Sequence, residues 1–121
     1  MAHIIIADDD ELVREIVRDA LLAEGHIVGA ADNGGDAWRA IMEKRPDLVI
    51  LDCNMPEASG IIVLREMRKR IEFADTPVLM LTGRRSQSDV DLAIYEGATA
   101  YIKKPFDPDH LVLRVEELLL R

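Results

Sequence analysis

The chain has 121 residues, enough for one domain with one core and too few for two. Its net charge of -8 argues against non-specific binding to nucleic acid, whose phosphates it would repel. The one cysteine, Cys53, excludes an internal disulfide and points to a reducing, cytoplasmic setting. The apolar N-terminal run is too short for a signal peptide and has no basic leader, and no apolar stretch is long enough to span a membrane. No repeat, low-complexity segment or linker is visible. The expectation is a single domain over residues 1–121, either a stand-alone protein or part of a longer one.

Strand-like and helix-like patterns alternate five times. Residues 3–7 read as a first strand that ends in the acidic run Asp8-Asp9-Asp10-Glu11. Val13, Ile16, Val17, Ala20 and Leu21 then recur at helical spacing, with Asp10 as N-cap and Gly25 as terminator. Residues 26–30 read as a second strand. Asn33-Gly34-Gly35 reads as a turn before a helix over 36–45, with Ala37, Trp38, Ile41 and Met42 inward and Pro46 as its stop.

Leu48-Val49-Ile50-Leu51 is an unbroken apolar run that ends in Asp52. Such a run suits a strand buried on both faces. Asn54, Pro56 and Gly60 mark a loop into a third helix, with Leu64, Met67 and Ile71 expected inward. After Pro77, Val78 to Leu81 form a fourth strand that ends at Thr82-Gly83. Val90, Ala93, Ile94 and Gly97 mark the inner face of a fourth helix. Residues 99–103 form the fifth strand, Lys104-Pro105-Phe106 a loop, and residues 108–120 the last helix. Alternation of this kind implies right-handed crossovers and a parallel sheet covered on both faces, an α/β doubly wound fold.

In open parallel sheets, ligands bind outside the carboxyl ends of the strands. Here those ends carry Asp8 and Asp9, Asp52, and Thr82, with Lys104 just past the fifth. If the first and third strands are neighbours, at least three carboxylates converge. That is costly unless a cation joins them, and hard oxygen ligands suit Mg²⁺. Each motif alone has an ordinary reading. The acids can cap a helix, Thr82-Gly83 can be a turn, Lys104-Pro105 a solvated loop, and Tyr101 and Cys53 packing. His3, His26 and His110 share no metal-ligand spacing.

Together and in order, these motifs resemble the receiver domain of two-component response regulators, the CheY-like family. The resemblance rests on Asp8-Asp9, Asp52 followed by Met55-Pro56 and Gly60, Thr82-Gly83, Tyr101, and Lys104-Pro105-Phe106, and covers nearly the whole chain. It implies a flavodoxin-like sheet of strand order 2-1-3-4-5 with five helices. It implies Asp52 as phosphoryl acceptor. Asp9, Asp52 and the Asn54 carbonyl would bind Mg²⁺, and Asp8 would act through metal-bound water. Thr82 and Lys104 would contact the phosphoryl group, and Tyr101 would report the state. The implied partners are a histidine kinase or phosphotransfer protein and a downstream target, with no direct contact to nucleic acid or membrane. Such a chain catalyses its own phosphorylation and dephosphorylation but is not a metabolic enzyme.

Three other readings compete. Asp8-x-Asp10 resembles the nucleophile motif of haloacid-dehalogenase-like phosphatases, in which Asp8 would carry the phosphoryl group. That family has a longer chain, and Thr or Val where Leu12 stands. A flavodoxin-like flavin binder would need a first loop rich in Ser, Thr and Gly, and this loop is acidic. A degenerate receiver usually lacks one of the five site residues, and all five are present. Arg84 and Asn54 are expected at the rim where attacking water enters, with Arg84 read as solvated. On the last helix, Leu111, Val115 and Leu118 point inward at 100° per residue, and Leu113 and Leu120 outward. With Leu92 they make an apolar patch, expected to serve a target or a weak homodimer. Thr99 and Ala100 stand where receivers of the OmpR type carry acids that pair with an arginine like Arg114, so no salt-bridged dimer of that type is expected.

Overall fold

A computed structural model of the chain describes residues 1–83 and 87–120. The strands are β1 (His3–Ala7), β2 (Ile27–Ala31), β3 (Leu48–Asp52), β4 (Val78–Thr82) and β5 (Ala100–Lys103). The helices are α1 (Glu11–Ala23), α2 (Gly34–Lys44), α3 (Gly60–Arg68), α4 (Gln87–Tyr95) and α5 (Pro108–Leu119), with a 3₁₀ turn at Ile71–Phe73. All strands are parallel, in the order β2-β1-β3-β4-β5. This is the expected fold. No helix among the described residues is long and apolar enough to cross a membrane.

The period-2 alternation of strand side chains splits the core into two layers. Ile5, Ala7, Val49 and Leu51 face α2, α3 and Ala93 of α4. Ile4, Ile6, Leu48 and Ile50 face Val17 and Leu21 of α1 and Leu111, Val115 and Leu118 of α5. All five residues of β3 are buried, as its unbroken apolar run requires. Each large side chain there contributes about 1.5–3 kcal/mol by leaving water. After β2 the chain crosses to the other side of β1 to add β3, and this reversal of strand order leaves a crevice at the carboxyl ends of β1 and β3.

Several local expectations need correction. Ile71 is 95% exposed, because α3 ends at Arg68 and Ile71 opens a separate 3₁₀ turn. Ile94 and Ile16 are exposed, at 56% and 38%, since helices on a sheet bury only a narrow stripe. Gly97 does not lie on the inner face of α4; it follows the helix with φ +103. Asn33-Gly34-Gly35 is not a free turn: Asn33 caps α2 through the Asp36 amide, and both glycines lie in its first turn. The second strand starts one residue later than expected. The expected Asp10 cap holds, accepting from the Leu12 and Val13 amides.

Candidate functional site

Backbone hydrogen bonds of the sheet bring the acids together. β1 lies beside β3 with Ala7 opposite Leu51, so Asp8 and Asp52 leave adjacent strand ends. Asp8, Asp9 and Asp52 each offer a carboxylate oxygen, and these three oxygens lie within 4.8 Å of one another. β4 lies on the other side of β3 and delivers Thr82, while β5 pairs Thr82 with Lys103. The Lys104 amide then bonds the Thr82 carbonyl at 2.7 Å, which aims the Lys104 side chain across the sheet ends. The Lys104–Pro105 peptide is cis.

Lys104 Nζ lies 2.7 Å from Asp8 Oδ2 and 3.5 Å from Asp52 Oδ1. Asp8 is fully buried and Asp52 nearly so, whereas Asp9 is exposed. Asp8 Oδ1 accepts from the Asp10 amide; its Oδ2 has the ammonium as its close partner and no other hydrogen bond among the described residues. Burial, and then the charge of Asp8, push the Asp52 carboxyl up to about 6, against the pull of Lys104. Burial alone would lower the Lys104 pKa. Its hydrogen bond to Asp8 and the charges of Asp52 and Asp8 outweigh that, so it is raised and the ammonium stays charged.

Two observations bear on a metal. The donor set is all oxygen, which suits a hard divalent cation such as Mg²⁺. Three clustered carboxylates also outnumber the one ammonium paired with them among the described residues. Thr82 Oγ1 is buried and finds no hydrogen-bond partner among the described residues. A buried hydroxyl without a partner is costly, and Thr82 ends β4 beside the end of β3 that carries Asp52.

Of the residues singled out from the sequence, Asp8, Asp9, Asp52, Thr82 and Lys104 converge. Asn54 stands in the β3–α3 loop; its amide lies 3.4 Å from Asp52 Oδ1 and its side chain donates to Asp89 of α4 at 3.3 Å. Tyr101 is 41% exposed and lines a surface cleft with Ile94, Ala98, Thr99 and Arg114. Leu92, Leu113 and Leu120 are exposed. Arg84 lies outside the described residues. Cys53 is buried, and burial, then the charges of Asp89 and Asp52, push its thiol up to about 12, so it is not a nucleophile. Two neighbours were not foreseen. Arg14 donates to the Asp8 carbonyl at 2.8 Å, and its position one turn after Asp10 is a weak signal for this. Asp89 meets Asn54 only through tertiary folding, and no local pattern marks it.

Comparisons with known proteins bear on the family and the fold. Residues 4–116 match the response regulator receiver domain. A response regulator from Chloroflexus aurantiacus J-10-fl superposes with a TM-score of 0.94 at 32% identity, over 99% of this chain and 98% of that one. The chemotaxis response regulator CheY4 of Vibrio cholerae gives 0.91 at 30% identity, over 98% of both chains. NtrX from Brucella abortus gives 0.90 at 33% identity; the match covers 98% of this chain but 27% of that longer protein. With the family model matched over nearly all its length, the chain belongs to the response regulator receiver domains, signalling switches of two-component phosphorylation systems.

Proposed function

We propose that this receiver accepts a phosphoryl group on Asp52 from a histidine kinase or a phosphotransfer protein, and that it thereby changes its affinity for a downstream protein. The observation that carries this reading is the Lys104 ammonium set between Asp8 and Asp52, with Asp9 alongside. Asp8, Asp9, Asp52 and the Asn54 carbonyl would hold Mg²⁺, which supplies positive charge to the transferring oxygens. Asp52, with its pKa near about 6, is mostly ionised at neutral pH and is the nucleophile. Its oxygen bonds to phosphorus as the P–N bond of the donor phosphohistidine breaks, and the imidazole leaves and takes a proton. Lys104 offsets charge on the phosphoryl oxygens, and the Thr82 hydroxyl donates to one of them. Attack of water on the resulting acyl phosphate returns the carboxylate and inorganic phosphate.

The rival phosphatase reading, with Asp8 as nucleophile, has less support. The Asp8 side chain is 0% exposed against 10% for Asp52, and the Asp10 carboxylate that would partner it caps α1 instead. With Mg²⁺ and acetyl phosphate, the protein is expected to gain one labile phosphoryl group. Asp52→Asn and Asp9→Ala are each expected to abolish it. Undiminished label in Asp52→Asn would overturn the assignment.

Phosphorylation adds roughly two negative charges near Thr82. As its hydroxyl turns toward them, Tyr101 is free to move inward and α4 and β5 repack. The proposed output surface is the exposed set Leu92, Leu113 and Leu120, which serves a target or a weak homodimer. Leu113→Glu is expected to weaken that contact and leave Asp52 phosphorylation intact. Equal target binding and sedimentation of the two phosphorylated forms would exclude this surface. The proposed domain spans residues 1–121 and works in the cytoplasm, where such donors operate.

A further inference from the structure

The loop between β3 and α3 carries Asn54, and its path is set by contacts that lie outside the acidic site. At its base, the Cys53 amide bonds the Leu81 carbonyl at 3.0 Å and the Gly60 amide bonds the Cys53 carbonyl at 3.1 Å. At its tip, the Pro56 carbonyl accepts from two amides, Ala58 at 2.8 Å and Gly34 at 3.1 Å. The first of these closes a γ-turn at Glu57, whose φ of +67 is unusual for a residue with a Cβ. The second comes from the first turn of α2, whose free amides and positive dipole end favour an oxygen. Asn54 is thus suspended between two tied neighbours, Cys53 and Pro56.

Gly34 is what allows this seat. A Cβ on Gly34 would fall 2.0 Å from the Ala58 carbonyl oxygen and 2.6 Å from its carbon. Both are backbone atoms, so no side-chain rotation relieves the overlap. Gly34 has no positive φ, so its backbone suits any residue and the restriction is purely tertiary. The nearby Gly29 differs: a Cβ there meets only Ile5 Cγ1, at 3.8 Å.

We infer that Gly34 is a positioning residue for the acidic site: by letting the loop sit on the N-terminus of α2, it places the Asn54 carbonyl beside Asp9 and Asp52 and so sets the affinity for a divalent cation. This rests on the proposed Mg²⁺ site. Any side chain at residue 34 lifts residues 56–58 off α2 and drags Asn54 with them. The carboxylates stay in place, because β1 and β3 hold them. The loss is therefore one of cation affinity, by about 10–100-fold, the usual cost of removing a support behind a ligand.

Calorimetric titration of Mg²⁺ into the phosphate-free protein tests this, with affinity expressed per folded molecule from circular dichroism. Wild type and Gly29→Ala are expected to bind alike, and Gly34→Ala about 10–100-fold more weakly. Ala40→Gly weakens α2 beyond its first turn, six residues after Gly34, and is expected to keep wild-type affinity, which separates positioning from mere destabilisation. Should Gly34→Ala not fold, Glu57→Pro unseats the loop from its own side, because proline cannot adopt the positive φ. The same loss of affinity is expected for it. Wild-type affinity in a folded Gly34→Ala or Glu57→Pro variant, or an equal loss in Ala40→Gly, overturns the inference. Absence of Mg²⁺ binding by wild type overturns the cation site itself and this inference with it.

Discussion

The two ends of the sheet treat buried polar groups in opposite ways. At the amino ends every prominent one among the described residues is answered. His26 Nδ1 accepts from the Ala2 amide at 3.0 Å, and its Nε2 lies 2.6 Å from Glu116 Oε1. Arg68 donates to the carbonyls of Phe73, Thr76 and Gly97, and lies 3.4 Å from Thr99 Oγ1. At the carboxyl ends the carboxylates crowd one ammonium and the Thr82 hydroxyl has no partner among the described residues. Satisfied polar networks hold a fold together. Groups left short of partners store the capacity to bind something that arrives later.

Substitutions at the two ends are accordingly expected to differ in sign. The largest effect is expected at the amino ends. Arg68→Ala strips partners from three carbonyls and unties α3 from the starts of β4 and β5, for a loss of about 2–4 kcal/mol in urea unfolding. A loss below about 0.5 kcal/mol would remove the contrast.

Asp52→Asn at the opposite end is expected to stabilise the metal-free protein. The folded Asp52 carboxyl titrates at about 6 instead of 3.8, so the native state holds its proton more tightly than the unfolded chain. The resulting penalty is absent below about pH 4, grows as pH rises toward about 6 and is complete above it. Allowing for residual solvent screening, Asp52→Asn should gain about 1–2 kcal/mol near neutral pH and nothing near about pH 4. A gain independent of pH would show that Asp52 charge is not the cause. On the proposed cation site, Mg²⁺ is expected to reverse the sign near neutral pH, since the aspartate form would bind it more tightly than the asparagine form.

The smallest effect sharpens the comparison most. Thr82→Val keeps shape and removes an unpaired hydroxyl, so stability should stay within about 1 kcal/mol of wild type or rise. Phosphorylation should persist in it while coupling to the target weakens. Destabilisation well beyond that range, measured by urea unfolding, would mean the hydroxyl has a partner after all.

Much of this was legible in one dimension. Leu48 to Leu51 had to be buried on both faces, which fixed β3 and put Asp52 at its end. Asp10 capped α1 as its position ahead of the helix required. The acids, Thr82 and Lys104 could be named because strand ends in a parallel sheet share one edge. Ile94 differs from expectation because apolar type does not say which side of a short helix the sheet covers, and Ile71 because α3 stops at Arg68, before reaching it. Nothing in the local sequence marks Arg68, because its acceptors come from segments up to 31 positions away.

The sequence by itself determined the order of elements, their caps and the candidate residues, because periodicity, capping and turn chemistry act over a few neighbouring positions. Only the tertiary structure decided which polar groups were satisfied, how far the Asp52 carboxyl was shifted, and why Gly34 has no room for a side chain. Those depend on desolvation and on contacts between atoms distant in the chain, which local residue order does not specify.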